Sequence, residues 1–271
     1  MYRLAHVGDL HLAHEDELSE AVALVEHAVG RGADHVAFSG DVVNSGEVDL
    51  VEQLLVHLRA VVPGRVTIAP GNHDVYPLAW PPSFSAIWRT CRRDAQKNYE
   101  RLLRVTVPAQ HRRSSAASIA YGRRIDDDVV LAAVDTTRSG TRNPAAWAAG
   151  ELSDQSLAAV RRLFRRHASA RHRIVVMHHY PFDDFSPVSS FVPMKFVMPP
   201  AREVRRLLAE AGTTLVLCGH IHANRIRPST TGFSVVTTDS TPRFHTRART
   251  YTLLELGRGG TVAIERVLVR P

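Results

Sequence analysis

Two cysteines, Cys91 and Cys218, are too few among 271 residues for a disulfide framework, and their scarcity fits a reducing compartment. No apolar run approaches the roughly 18 residues that a membrane-spanning helix needs. The stretch Met1–Val7 runs directly into a polar motif and leaves no room for a signal peptide, so the cytoplasm is the expected location. Internal repeats, low-complexity tracts and linkers are also missing, and residues 1–271 are expected to form a single domain.

Present instead are 44% hydrophobic and 23% charged residues, ordinary for a globular protein, and 15 histidines, which invite a search for metal sites. The net charge of +7 is carried almost entirely by arginine and suits an anionic substrate or nucleic acid. The basic residues are scattered, however. Only Arg161-Arg162 and Arg165-Arg166, on one helix, are dense, and a solvated surface accounts for the rest.

Alternation and helical spacing divide the chain into strand–motif–helix units. A strand over Arg3–Val7 leads to Gly8-Asp9-Leu10-His11, and a helix from Glu15 buries Leu18, Ala21, Val22, Val25, Ala28 and Val29 before Gly30 and Gly32. His35–Ser39 leads to Gly40-Asp41-Val42-Val43-Asn44, and a second helix carries Val48, Val51, Leu54, Leu55, Leu58 and Val61. Val66–Ala69 leads to Pro70-Gly71-Asn72-His73-Asp74. Three such units predict parallel βαβ connections. Val75–Ile119 is an excursion with a helix over Phe84–Arg104. Val129–Val134 returns to strand, and Ser153–His167 is helix. Arg173–Met177 is a strand delivering His178-His179-Tyr180-Pro181. Asp183–Pro200 is a loop long enough to gate a site. A helix over Ala201–Ala211 precedes the strand Thr214–Cys218, which ends in Gly219-His220-Ile221-His222. Strands over Arg225–Pro228, Phe233–Thr237, Thr250–Leu256 and Thr261–Leu268 form a β-rich tail. The expected fold is α/β: two facing sheets flanked by helices.

Five polar stretches each close an apolar run, so a sheet gathers them along one edge, where open α/β sheets place ligands. In Asp9-x-His11 and His220-x-His222 the alternate residues share a face if extended and can reach one ion or two adjacent ions. Carboxylate, amide oxygen and imidazole without thiolate suit manganese, iron or zinc in open geometry and match a closed structural zinc site poorly.

These stretches resemble the calcineurin-like metallophosphoesterases from Asp9 to His222, and no ligand position departs from that pattern. The resemblance implies a dinuclear centre of transition-metal ions. Asp9, His11 and His222 would hold the first metal, and Asn72, His178 and His220 the second, with Asp41 bridging. It further implies hydrolysis of phosphoesters by a shared hydroxide, His73 facing the scissile phosphate and Asp74 orienting it. Such a centre clamps phosphoryl oxygens and supplies a nucleophile. The compact chain looks most like the class III cyclic nucleotide phosphodiesterase branch, which implies a small phosphodiester as substrate. A nuclease of the same superfamily would use the basic charge, but such chains usually add a capping domain after the last motif. A non-catalytic scaffold is the third reading, and the presence of His73 argues against it.

Other polar residues have plainer explanations. His179 either supports a ligand from behind or simply points into protein, Asn44 caps the following helix, and Asp135 makes a turn. Cys218 is a core residue. Arg247 and Arg249 sit on a solvated tail strand. Oligomeric state is not legible.

Overall fold

The computed structural model describes residues 1–76, 84–107, 120–137, 149–182, 201–240 and 249–270. Its first half is built from short apolar runs that are buried on both sides. β1 (Tyr2–Val7), β2 (His35–Phe38) and β3 (Val66–Ile68) run parallel, with α1 (Leu18–Gly30) and α2 (Val48–Val61) as crossovers. α1 is preceded by a 3-10 turn, Glu15–Glu17, whose Glu17 carboxylate accepts from the His14 amide at 3.1 Å. The motif after β3 winds into a single helical turn, α3 (Asn72–Val75), with α4 (Phe84–Thr106) beyond it. Arg101 on α4 pairs with Glu52 on α2 at 2.7 Å, fixing the long helix to its neighbour.

The second half repeats the logic. β4 (Ala120–Arg124) pairs antiparallel with β5 (Val129–Val134), whose six residues are all buried. β5 lies parallel to β6 (His172–Val176) and β6 to β7 (Leu215–Cys218). α5 (Asp154–Arg166) and α6 (Ala201–Glu210) supply the crossovers, α5 capped by Ser153, which accepts from the Ser156 amide. β8 (Arg225–Pro228) and β9 (Ser234–Thr237) extend this sheet. β10 (Arg249–Leu256) and β11 (Val262–Val269) return to the first sheet beside β1. The strand orders are β11-β10-β1-β2-β3 and β4-β5-β6-β7-β9-β8.

Side-chain alternation divides the interior into three cores. Ala5, Val7, Val36, Phe38, Tyr251 and Leu253 face α1, α2 and α4, and Val130, Ala132, Val175 and Val216 face α5 and α6. Leu4, Ala37, Leu131, Ile174, Leu217 and Leu254 meet between the sheets. Tyr121 joins the sheets at their edge, its hydroxyl donating to Ile68 O and accepting from Ile68 N, each at 3.1 Å.

Two features go beyond the sequence reading. β4 falls in a stretch without apolar alternation and is held by β5 and by Tyr121, so periodicity does not reveal it. The four strands expected in the β-rich tail are present: the first two complete one sheet and the last two the other. The loop expected over Asp183–Pro200 and residues 77–83 of the expected excursion lie outside the described residues.

Candidate metal centre

Each parallel strand that carries a motif ends at the same edge, and the chain then turns sharply to present a polar side chain. Asp9, His11, Asp41, His220 and His222 all have left-handed backbones, with φ of 55°, 48°, 51°, 73° and 47°. They are all the non-glycine residues with positive φ among those described. Such conformations are rare for side-chain-bearing residues and persist where the surroundings over-determine them. Here the loops hold one another: Asp9 N donates to Gly40 O at 3.1 Å, His11 N to Asp41 O at 3.0 Å, and Gly219 N to His178 O at 3.1 Å. Gly71 leaves room for Asp41, since a Cβ there would lie 2.2 Å from both Asp41 N and Asp41 Oδ1.

Two groups of donor atoms result. Asp9, His11, Asp41 and His222 form one and Asp41, His178 and His220 the other, with the donor atoms of each group within 4.8 Å of one another. His11 Nε2 lies 3.0 Å from His222 Nε2 and 3.7 Å from Asp41 Oδ2. His178 Nε2 lies 3.2 Å from Asp41 Oδ2, 2.9 Å from Asn72 Oδ1 and 3.1 Å from His220 Nδ1. The structure therefore brings together all seven ligands expected from the sequence, with Asp41 in both groups.

The chemistry of the donors fits metal ions. His178 Nδ1 donates to Ser39 O at 2.8 Å, so Nε2 of the neutral ring carries a lone pair. That lone pair faces a carboxylate oxygen, an amide oxygen and another imidazole nitrogen. A proton satisfies one such contact, whereas a cation satisfies all of them. Burial and neighbouring charges shift the ionisation of the bare side chains, each in its own direction. Burial, with the Asp41 charge alongside, pushes the Asp9 carboxyl well above the usual range. Burial opposes a charge on His178 too, yet Asp41 raises that ring to about 9. Burial lowers His11 to about 3, leaving a neutral imidazole ready to coordinate. Manganese, iron and zinc all accept this mixture of oxygen and nitrogen.

His73 stands beside the first group, its ring 4.7 Å from that of His11 and edge-on to it. Its backbone N donates to Asp41 Oδ1 at 2.9 Å, while its Nδ1 donates to Asn44 O at 2.7 Å. The orienting role expected of Asp74 thus falls to a carbonyl. The buried Asp74 carboxylate accepts instead from Val43 N at 3.0 Å and Gly71 N at 2.8 Å, bracing the two loops. Burial, with Asp41 nearby, raises its pKa to about 7. Nor does Asn44 cap α2, whose N-cap is Glu47.

Other outcomes are mixed. His179 is buried with its ring 4.6 Å from His220 and its Nδ1 2.8 Å from Thr136 Oγ1, so it packs directly behind a ligand. Asp135 makes the expected turn, accepting from Thr137 N at 2.7 Å, and also receives the Tyr99 hydroxyl of α4 at 2.5 Å. Cys218 is a buried free thiol. Arg249 is 2% exposed, which overturns the solvated reading: it donates through Nη1 to Leu10 O at 3.0 Å and through Nε to Glu20 at 3.2 Å. Arg247 lies outside the described residues. Sequence reasoning also missed Asp239, whose charge acts on Asp9 and His222. Its only signal was a position shortly after a strand.

Two mixed sheets with outer helices and paired donor groups at one edge define a metallophosphoesterase-type α/β fold. A model of the calcineurin-like phosphoesterase family matches residues 2–224, and the chain belongs to that family. Similar solved structures include a dimetal phosphatase from Danio rerio, 14% identical over 99% of this chain and 98% of that one, with a TM-score of 0.59. Another is a purple acid phosphatase from yellow lupin (Lupinus luteus) seeds, 13% identical over 99% of this chain and 51% of that one, TM-score 0.61. A hypothetical protein from Thermus thermophilus is 15% identical over 99% of each chain, TM-score 0.55. At such identities the likeness establishes the fold. No curated protein sequence matches the chain.

Proposed function

We propose that this chain, acting as one domain, hydrolyses phosphodiester bonds of small molecules such as cyclic nucleotides on a centre of two transition-metal ions. The observation that carries the reading is Asp41, whose carboxylate belongs to both donor groups while its other oxygen accepts from the backbone of His73. In this reading Asp9, His11 and His222 hold the first ion, Asn72, His178 and His220 the second, and Asp41 both. When bound, the ions supply Lewis acidity and the positive charge that draws a phosphate.

The residues around them do the rest. With Nδ1–H fixed on Asn44 O, His73 is left with Nε2 for proton exchange, and its protonated form can donate to the leaving oxygen. Asp74 fixes the turn that carries Asn72 and His73, and Ser39 O fixes the His178 tautomer.

The small-diester assignment follows the likeness of the motifs and the compact chain to the class III cyclic nucleotide branch, and the charge distribution weighs against a nuclease. Arg161, on the helix with the dense basic pairs, is matched by Glu210 at 3.1 Å, and Arg206 on α6 by Glu203 and Glu210. That is a poor groove for a nucleic-acid backbone. Reaction in the cytoplasm is part of the same proposal. For a panel of bis(p-nitrophenyl) phosphate, p-nitrophenyl phosphate, cyclic nucleotides and single-stranded DNA, assayed with Mn²⁺ over a salt series, small diesters should be cleaved with shallow salt dependence. A preference for the monoester would replace the diesterase reading with a phosphatase. Efficient DNA cleavage that collapses with salt would replace it with a nuclease.

A further inference from the structure

The metal centre occupies the edge where the parallel strands end. At the opposite edge, where they begin, lies a cavity of about 340 Å³. Tyr2 at the head of β1, Asp34 and His35 at the head of β2 and Arg65 just before β3 line it from one sheet. Arg123, Arg124 and Ile125, at the close of antiparallel β4, line it from the other. Its walls therefore belong to both sheets.

The arginines of this cavity differ in their partners. Arg3, Arg31, Arg101, Arg124, Arg161 and Arg206 each pair with a carboxylate. Arg65 and Arg123 are half-buried and have no carboxylate partner among the described residues. Arg65 touches only Asp34 O, at 3.4 Å. Arg123 uses Nη2 on Gly64 O at 2.5 Å and on His35 Nδ1 at 3.3 Å, while its buried Nε has no hydrogen-bond partner. The Asp34 carboxylate also lines the cavity, and its Oδ2 accepts from Arg3 N at 2.8 Å. His35 accepts from Arg123, which leaves Nε2–H to donate to Thr67 Oγ1 at 2.9 Å, so its ring is neutral. Two guanidinium groups with N–H donors to spare thus face one space against the single Asp34 carboxylate, and the excess positive charge is unfavourable away from water unless it is matched.

We propose that this cavity binds a small phosphorylated metabolite, its phosphate dianion on Arg65 and Arg123 and its organic part against Tyr2 and Ile125. Two positive charges match a phosphomonoester dianion, and planar guanidinium forks suit its oxygens. The volume lies in the range of small-ligand sites and exceeds what a bare ion needs. A ligand held by both sheets favours the folded state, so occupancy should raise the melting temperature. The site is independent of the catalytic reading.

The test uses chelator-treated protein, so that the metal centre contributes no phosphate affinity. Calorimetric and thermal-shift titrations would compare adenosine 5′-monophosphate, inorganic phosphate and adenosine. Saturable binding of the nucleotide, weaker binding of phosphate and none of adenosine is the expected order. Arg65→Gln and Arg123→Gln should each weaken the nucleotide by about 10- to 100-fold, the effect of losing a charged hydrogen bond. Hydrolysis of bis(p-nitrophenyl) phosphate by the metal-loaded variants should be unchanged. If Arg123→Gln fails to fold, Arg65→Gln decides alone, since Arg65 makes a single long contact. No saturable binding up to about 10 mM, which corresponds to an affinity too weak to matter, would overturn the proposal. So would binding that survives Arg65→Gln unchanged, and phosphate binding as tightly as the nucleotide would reduce the site to one for the free ion.

Discussion

Arg249→Met tests whether a buried cation holds the first ligand loop. The guanidinium reaches from β10 to Leu10 O, which lies between the left-handed Asp9 and His11. Methionine has similar reach but cannot donate. A hydrogen bond from a charged group contributes about 1.5–3 kcal/mol, and Leu10 O would lose it in a buried site. The pair with Glu20 adds less, at most about 1 kcal/mol, because the Glu20 side chain is 26% exposed and water can replace its partner. The expected loss is therefore about 2–4 kcal/mol, or on the order of 10 °C in melting temperature for a chain of this size. Metal affinity should fall as well. Removing a group that orients ligands from behind typically weakens a metal about 10- to 100-fold. The loss should concentrate on the ion that the proposal assigns to Asp9, His11 and His222, because Asn72, His178 and His220 come from other loops. Chelator competition followed by metal analysis of the wild type, Arg249→Met and Arg249→Lys would read this, the lysine recovering part of the effect. A variant that melts early yet keeps both ions at wild-type affinity refutes the positioning argument. One that melts normally refutes the clamp itself.

His73→Ala should leave metal content near wild type, because its contact with Asp41 runs through the backbone N, while kcat falls roughly 10²- to 10⁴-fold. The fall should be smaller for substrates with a p-nitrophenol leaving group, and an emptied centre on metal analysis would count against the division of roles. Stability should decline in acid. His6 is fully buried with its pKa lowered by burial to about 3, so below the ordinary value of 6.5 the unfolded chain takes up a proton that the folded one refuses. Stability is thus whole above pH 6.5 and erodes as pH falls towards 3, by roughly 2 kcal/mol at pH 5. Urea unfolding of the metal-free protein at pH 7 and pH 5 should show a slope that His6→Gln reduces, and equal slopes would contradict the assignment.

The candidate ligands were legible as a group in the sequence because each closes an apolar run, and a parallel sheet converts that linear habit into a common edge. Helix spans such as Val48–Val61 were legible because one face is apolar at helical spacing. The supporting groups were not. Asn44 and Ser39 act through their carbonyls, which every residue possesses, so residue type carries no signal. Arg249 looked like surface because arginine usually is; only the return of β10 beside β1 places it under the Asp9–His11 loop. β4 was hidden for a related reason, since its pairing depends on β5 and not on its own alternation.

The left-handed ligands carry a consequence for stability. A residue with a side chain in that region costs roughly 1–3 kcal/mol, so five of them store an amount comparable to the net stability of a domain. Strain kept at the candidate ligands, and nowhere else among the described non-glycine residues, is what loops shaped for coordination at the expense of the metal-free fold would show. His222 isolates the effect, because its side chain is 44% exposed and its φ is 47°. His222→Ala and His222→Gly both remove the ligand, but only glycine relaxes the backbone. Elsewhere glycine would be the less stable of the two by about 0.4–1 kcal/mol, through the entropy of the unfolded chain. At His222 the order should invert in metal-free protein, with glycine the more stable by about 1 kcal/mol in urea unfolding. If alanine is the more stable, the left-handed turn is not strained and the ligand loops are not held against their own preference.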